Sequence, residues 1–371
     1  MSILEDPCQG HPSAGITGDR SAVRGAVVNG DKIAVGDTLI MRWKIALLLA
    51  VSLVAAAQTT GPPRIKPPKK EKEPETQTLP LPPEPPSAVL AEAGKLAFHV
   101  SPLSAKGLLT QQVHDALKSL DRASGDATFV KLRAFVAGTG DMRRVATIVA
   151  EDFSDKKMPL PAVTTIQVGA LPLEGAQVVI ESISSQKKTL NPSGLAFFSA
   201  QRVPELTAAS KAQEAVMVQV TCFVGDLTQI DSARTSVASA FPGAAANFIQ
   251  LTRLAVEPGI SCEGVGRLQK PGKSPAKLVF TATQMAFGDQ DQALRLAYGR
   301  LGRALESMKA SYADALVMSV YSLSRPTADK AAALAPEFLG RSAHPVGSTQ
   351  IVEGLPSLDA TIAIELVAAG R

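Results

Sequence analysis

The chain has 371 residues, of which 45% are hydrophobic and 19% charged, a composition that excludes a disordered polymer and suits a globular protein of about two or three domains. A formal net charge of +4 argues against a strongly basic, phosphate-binding surface. An aromatic content of 4% leaves few stacking platforms for bases, so nucleic acid is not an expected partner.

Residues 1–40 show no clear hydrophobic period and read as a doubtful N-terminal extension. Met41-Arg42-Trp43-Lys44 then forms a charged opening, Ile45 to Val54 an apolar run, and Ala55-Ala56-Ala57 a small-residue cleavage site. That layout predicts a secretory signal peptide over 41–57, starting near Met41, and hence export to a periplasm or the medium. The apolar run is shorter than the roughly 20 residues that span a bilayer. A membrane association is expected only through an uncleaved signal anchor. Residues 58–88 are rich in proline, from Pro62 to Pro86, and predict an extended, disordered linker.

Beyond it one pattern is written three times, over 89–186, 187–268 and 269–371. In the first unit LAFHVSP reads as a strand, Leu108 to Ala123 as an amphipathic helix, and Thr128 to Val136 as a strand. Asp141 to Phe153 reads as a second helix, and Val163 to Val168 and Ala176 to Ile183 as two closing strands around a Pro-bearing bend. In the second unit GLAFFSAQRV and Ala215 to Val224 are strands. Only Pro204 to Glu214 lies between them, so the first helix is shortened or lost. Ile230 to Phe241 is a helix, and Ala245 to Leu254 and ISCEGVGRL close the unit. In the third, KLVFTATQM, a helix over Asp289 to Met308, a strand over Ala313 to Tyr321, a helix over Ala328 to Phe338 and two final strands repeat the order β-α-β-α-β-β. Each last strand carries a lone Glu in an apolar run: Glu181, Glu263 and Glu365. Self-similarity at a roughly fixed period defines the architecture, an α+β protein of three tandem units.

Other chemistry is sparse. No CxxC or Cys/His ligand spacing occurs, so neither a metal nor a cofactor is expected. Cys222 and Cys262 read as two buried thiols, with a disulfide dependent on strand order. His99, His114 and His344 are too scattered for a catalytic set. Arg133 and Arg253 sit in or at the ends of strands, and Arg253 reads as a rim salt bridge in preference to an anion site.

The ordered motifs resemble the RidA/YjgF family, also called L-PSP or reactive-intermediate deaminases. The text that carries the resemblance is FVKLRAFVAGTGDMRRVATIVAEDF, PAVTTIQVGALP and VVIESIS in the first unit. It is FFSAQ, MVQVTCFVGDLTQIDSARTSVASAFPG and ISCEGVG in the second. In the third it is FTATQ, ALVMSVYSLSRPTADKAAALAPEF, STQIVEGLP and IAIEL. The family forms homotrimers with a chorismate-mutase-like fold and ligands in clefts between subunits. The resemblance therefore implies an intrachain pseudo-trimer, monomeric in solution, with three unequal inter-unit clefts.

The family activity is deamination of 2-iminobutanoate and 2-iminopropanoate, with an Arg holding the substrate carboxylate and a Glu positioning water. Here the Arg position holds Val163, Ala246 and Gly347, and the Glu position holds Val179, Ser261 and Ala363. The residue two beyond the Arg is Thr165, Phe248 or Thr349. Gln201 and Gln284 retain the family's strand-end glutamine, and Leu103 does not. No catalytic residue is therefore assigned. Ser101, Thr164, Thr165, Ser199, Gln201, Phe248, Gln284, Ser348 and Thr349 are the candidate cleft-lining set. The expected function is small-molecule binding or scaffolding without the family activity. The alternative is an enamine or imine hydrolase with a rebuilt cleft.

Overall fold

The computed structural model describes residues 81–371 except 139, 255–258, 273 and 342. The expected extension over 1–40, the signal peptide over 41–57 and nearly all of the Pro-rich segment lie outside the described residues.

The fold is mixed α+β. Three sheets share one strand order. In the first, β2 (Leu96–Val100), β5 (Val178–Ser185), β3 (Thr128–Ala137) and β4 (Ala162–Val168) lie side by side. In the second the order is β6 (Leu195–Gln201), β9 (Ile260–Leu268), β7 (Ala215–Val224) and β8 (Ala245–Gln250). In the third it is β10 (Lys277–Thr281), β14 (Ala360–Gly370), β12 (Ala315–Ser322) and β13 (Val346–Ile351), with β11 (Gln284–Phe287) also on β14. In chain order the last two strands of each set (β4 and β5, β8 and β9, β13 and β14) flank the same middle strand and differ in sense. The first of them runs parallel to its neighbour and the second antiparallel. A parallel neighbour needs a crossover, and α2 (Arg143–Asp155), α4 (Ile230–Ala240) and α6 (Arg325–Leu339) supply it.

The other helices are α1 (Leu109–Ser124), α3 (Val203–Ala212) and α5 (Asp291–Ser307). The first helix of the middle unit is thus shortened, to 10 residues against 16 and 17, and not lost. Ser324 caps α6 by accepting from the Thr327 N–H, and Pro326 occupies its first turn, where no backbone donor is needed.

Strand alternation sorts the side chains into two layers. Val163, Val178 and Ile180 face α1 and α2, whereas Ile166 and Val179 face inward. The inner faces of the three sheets meet. Phe135 and Ile166 of the first pack with Phe223 and Ile249 of the second and Tyr321 and Ala363 of the third. A second apolar cluster shared by the sheets holds Leu96, Phe98, Val130, Leu195, Leu278 and Phe280.

Two features depart from expectation. Cys222 and Cys262 form a disulfide, not a pair of thiols, because β9 lies beside β7 and places them directly opposite one another. The second is a strand, β1 (Ala88–Glu92), at the end of the Pro-rich segment. It pairs antiparallel with β10, so it extends the third sheet although it precedes the first strand of the first. Its Ala88 is buried against the third sheet's helices, and Val89 and Ala91 pack on the shared cluster. The chain then turns through Ala93–Lys95 into β2.

Candidate functional site

Strand register brings the three lone glutamates to equivalent places. Glu181 lies opposite Arg133, Glu263 opposite Thr221 and Glu365 opposite Ser319. Across the parallel ladders those same residues face Thr164, Asn247 and Ser348. Two positions earlier on the middle strands stand Lys131, Gln219 and Val317, opposite Ile183, Val265 and Val367. All of these project from the inner faces, so three sheets deliver a polar cluster into the middle of the molecule.

Arg133 is its hub. Its Nε and Nη2 donate to Glu181 Oε2 at 2.9 and 2.6 Å, and Nη1 donates to Glu263 Oε1 at 2.5 Å. Nη1 also donates to the Tyr321 hydroxyl at 3.2 Å and Nη2 to Thr221 Oγ1 at 3.0 Å. A guanidinium has five N–H donors, and these bonds use them all. Arg133 is therefore committed to the protein's own carboxylates and has no fork left for a ligand carboxylate. Lys131 Nζ is committed in the same way, to Glu365 Oε2, Thr164 Oγ1 and the Thr281 carbonyl, each at 2.6 Å.

The carboxylates differ in how fully they are met. Glu181 accepts from Arg133, from Gln219 Nε2 at 3.1 Å, from Thr221 Oγ1 at 2.6 Å and from Asn247 Nδ2 at 2.8 Å. Glu365 accepts from Lys131, Thr164 and the Tyr321 hydroxyl. Glu263 accepts from Arg133 and Ser348 Oγ. Each bond joins a donor on one sheet to a glutamate on another, apart from the bonds of Arg133 to Glu181 and Tyr321 to Glu365.

Burial makes these pairings matter. Glu181 is 3% exposed and Glu263 and Glu365 are 12% and 10%. Burial alone would raise the Glu365 pKa, but the charges of Lys131 and Arg133 hold it below the usual carboxylate range. Burial would likewise lower the Arg133 pKa, and Glu181, Tyr321 and Glu263 together raise it further above its ordinary value. Burial, with Glu365 beside it, pushes the Tyr321 hydroxyl well up, so it stays a neutral donor.

Against this cluster lies a cavity of about 100 Å³. All three sheets line it: Lys131, Arg133 and Glu181 from the first, Ser199, Gln219, Glu263 and Val265 from the second, and Val317, Val346, Ser348 and Glu365 from the third. Gly264, next to Glu263, has no room for a side chain: a Cβ there would meet the Gln219 carbonyl at 2.8 Å.

Of the candidate cleft residues, Thr164, Ser199 and Ser348 reach the cluster or the cavity. The others lie elsewhere. Thr165 is buried, and alternation puts it on the helix side of β4. Phe248 packs against α4, with Arg234 over its ring. Ser101 accepts from the Ile180 N–H at 2.9 Å. Gln201 sits opposite Cys262, Gln284 opposite Ile364 and Thr349 opposite Val320.

At the family Arg position, Val163 is in the helix-side core of the first sheet and Ala246 packs against the separate helix-side core of the second. Gly347 lies opposite Met318. At the family Glu position, Val179 and Ala363 are in the inner apolar core and Ser261 is buried. Leu103 packs against the inner core. Arg253 donates to the Val352 carbonyl at 3.3 Å, so its rim contact is to a carbonyl and not to a carboxylate. His99 is half-buried, with Nδ1 3.4 Å from Ser124 Oγ, and burial lowers its pKa. Among the described residues no group of three His, Cys, Asp or Glu is placed to hold a metal.

No protein-family model matches the sequence. No curated protein matches it either. Among solved structures the chain is similar to Rv2704 of Mycobacterium tuberculosis, a member of the YjgF/YER057c/UK114 family, at 26% identity over 25% of this chain and 78% of that one, with a TM-score of 0.23. It is similar to NMB1025 of Neisseria meningitidis, a YjgF family protein, at 14% identity over 25% of this chain and 80% of that one, TM-score 0.24. A chorismatase matches at 13% identity over 76% of this chain and 77% of its own, TM-score 0.42.

Proposed function

We propose that the chain is an exported pseudo-trimer of three divergent RidA-like units that binds a small molecule between units, or serves as a scaffold, without the family's deaminase chemistry. The observation that carries this reading is the convergence of Glu181, Glu263 and Glu365 at one register position on three sheets of one strand order. Such a unit has a one-sided sheet whose bare face needs a cover, and a domain this small buries too little surface alone. Two neighbours in the same chain supply the cover without an association cost.

The loss of chemistry follows from the residues. A positioned acid–base group contributes about 10²–10⁴ in rate, and the family's Glu position holds Val179, Ser261 and Ala363. The central arginine does not substitute for the missing clamp, since its donors are all engaged. The test is hydrolysis of 2-aminoacrylate by the purified chain. Background rates are expected, and turnover at the level of an ordinary family member would sink the reading in favour of a rebuilt enzyme.

A further inference from the structure

The three seams between sheets are built on one plan and filled differently. Between the first and third sheets, Glu365 meets Thr164 and the Lys131 ammonium. Between the second and first, Glu181 meets Asn247 and the Gln219 amide. Between the third and second, Glu263 meets Ser348, and the residue at the lysine and glutamine position is Val317. Valine is too short and too apolar to reach a carboxylate, and the cavity, which Lys131, Gln219 and Glu365 also line where the seams meet, reaches it.

Two further facts bear on what the cavity fits. The cluster sets three glutamates against Lys131 and Arg133, so one carboxylate charge is left without a cation of its own, and burying such a charge is costly. Glu263 is the carboxylate that accepts from the fewest groups, and a carboxylate has about four lone-pair sites. The molecule also shows what suits such a place. Lys131 Nζ bonds a Glu, a hydroxyl and a strand carbonyl. The same three register positions in the third seam are Glu263, Ser348 and the Phe198 carbonyl, because Phe280 and Phe197 sit opposite Val367 and Val265.

Resting on the reading of an inter-unit binding seam, we propose that this cavity binds a small primary ammonium ion carrying a short alkyl chain. The charged group bonds Glu263 and Ser348 as Lys131 bonds Glu365 and Thr164. The chain lies along Val265, Val317 and Val346. A volume of about 100 Å³ is roughly the share of three waters and fits a short aliphatic amine, not a nucleotide or a peptide.

The test is calorimetric titration of the full chain with n-butylammonium chloride, n-butanol and sodium butyrate, on the parent and on Val317→Lys and Val317→Leu. Saturable binding of n-butylammonium is expected, with the alcohol and the acid weaker by about tenfold or more, the worth of one charged hydrogen bond. Val317→Lys, which carries its own ammonium into the seam, should abolish binding. Val317→Leu, which only fills space, should weaken it and decides the matter if the lysine variant does not fold. Equal or tighter binding of butanol or butyrate, still blocked at Val317, overturns the ammonium assignment and leaves the small-molecule reading standing. Binding indifferent to both Val317 substitutions overturns the site. No saturable binding of any probe overturns the ammonium site and leaves the broader binding-or-scaffold reading to its own test.

Discussion

Lys131 and Val317 hold the same register position on two different sheets, each two residues before the one opposite a central glutamate. One carries a cation to the glutamate of its seam and the other presents only an apolar wall to the cavity that both line. The asymmetry of the centre therefore comes down to single side chains on a repeated backbone frame.

Arg133→Met should be among the most damaging single changes. It leaves the buried Glu181 and the partly buried Glu263 without their cation, and breaking a buried pair costs about 3–5 kcal/mol. Urea unfolding should show the midpoint fall with little change in slope. A loss below about 1 kcal/mol would mean the hub is not structural.

Lys131→Met should behave differently alone and in company. Alone it leaves Glu365 buried with only hydroxyl donors from Thr164 and Tyr321, and stability falls. Paired with Glu365→Leu, much of the loss should return, because an apolar pair avoids the desolvation that the ion pair bears. A double-mutant cycle reads the coupling, expected at about 1–3 kcal/mol. Additive effects would contradict it.

Acid should loosen the centre. The folded pKa of Glu365 lies below its unfolded value, so its contribution is fully present above the unfolded pKa and is lost as pH falls through the folded one. Stability should hold near neutrality and decline below the ordinary glutamate range of about 4.3. Glu365→Gln should flatten that decline in thermal melts taken across acidic pH. A melt profile unchanged by the substitution would count against the assignment.

The Cys222–Cys262 bond closes a loop with a sequence separation of 40 and should contribute about 2–4 kcal/mol. Neither thiol should react with an alkylating reagent in the denatured, unreduced protein, and both should react after reduction. Cys222→Ala with Cys262→Ala should lower the melting temperature. Ready labelling of both before reduction would disprove the bond.

Ala88→Asp tests the strand that crosses between sheets. Ala88 is 1% exposed in the third sheet's core, and an unpaired buried carboxylate there should displace β1 from β10. Increased binding of a hydrophobic dye is expected as Val279 and Phe280 lose their cover. Unchanged dye binding would show that β1 is dispensable.

The sequence carried the three glutamates plainly, as lone acids in apolar strands, and the alternation of layers followed from period two. It did not carry the register that sets Thr164 and Ser348 beside glutamates of other sheets. That register rests on contacts between strands far apart in the chain. The cations were legible in part: TFVKLRAFV places Lys131 and Arg133 two apart in an otherwise apolar strand, hence on one buried face, where charges must find partners. The sequence placed Arg133 in a strand and could not name its partners, because Glu181, Glu263, Thr221 and Tyr321 lie on other strands. The strand at Ala88 was hidden by its neighbours, since five residues abutting a proline tract show no decisive alternation of their own. The cysteine pairing turned on β9 lying next to β7, which neither spacing nor composition reveals.

The placement of β1 has a consequence for synthesis. This strand leaves the ribosome before every other described element, yet the backbone it pairs with is made only after two whole sheets have been completed. Until then it is an orphan edge, and translation must finish most of the polypeptide before this strand finds its partner. Closure of the assembly is thereby timed to the arrival of the last sheet.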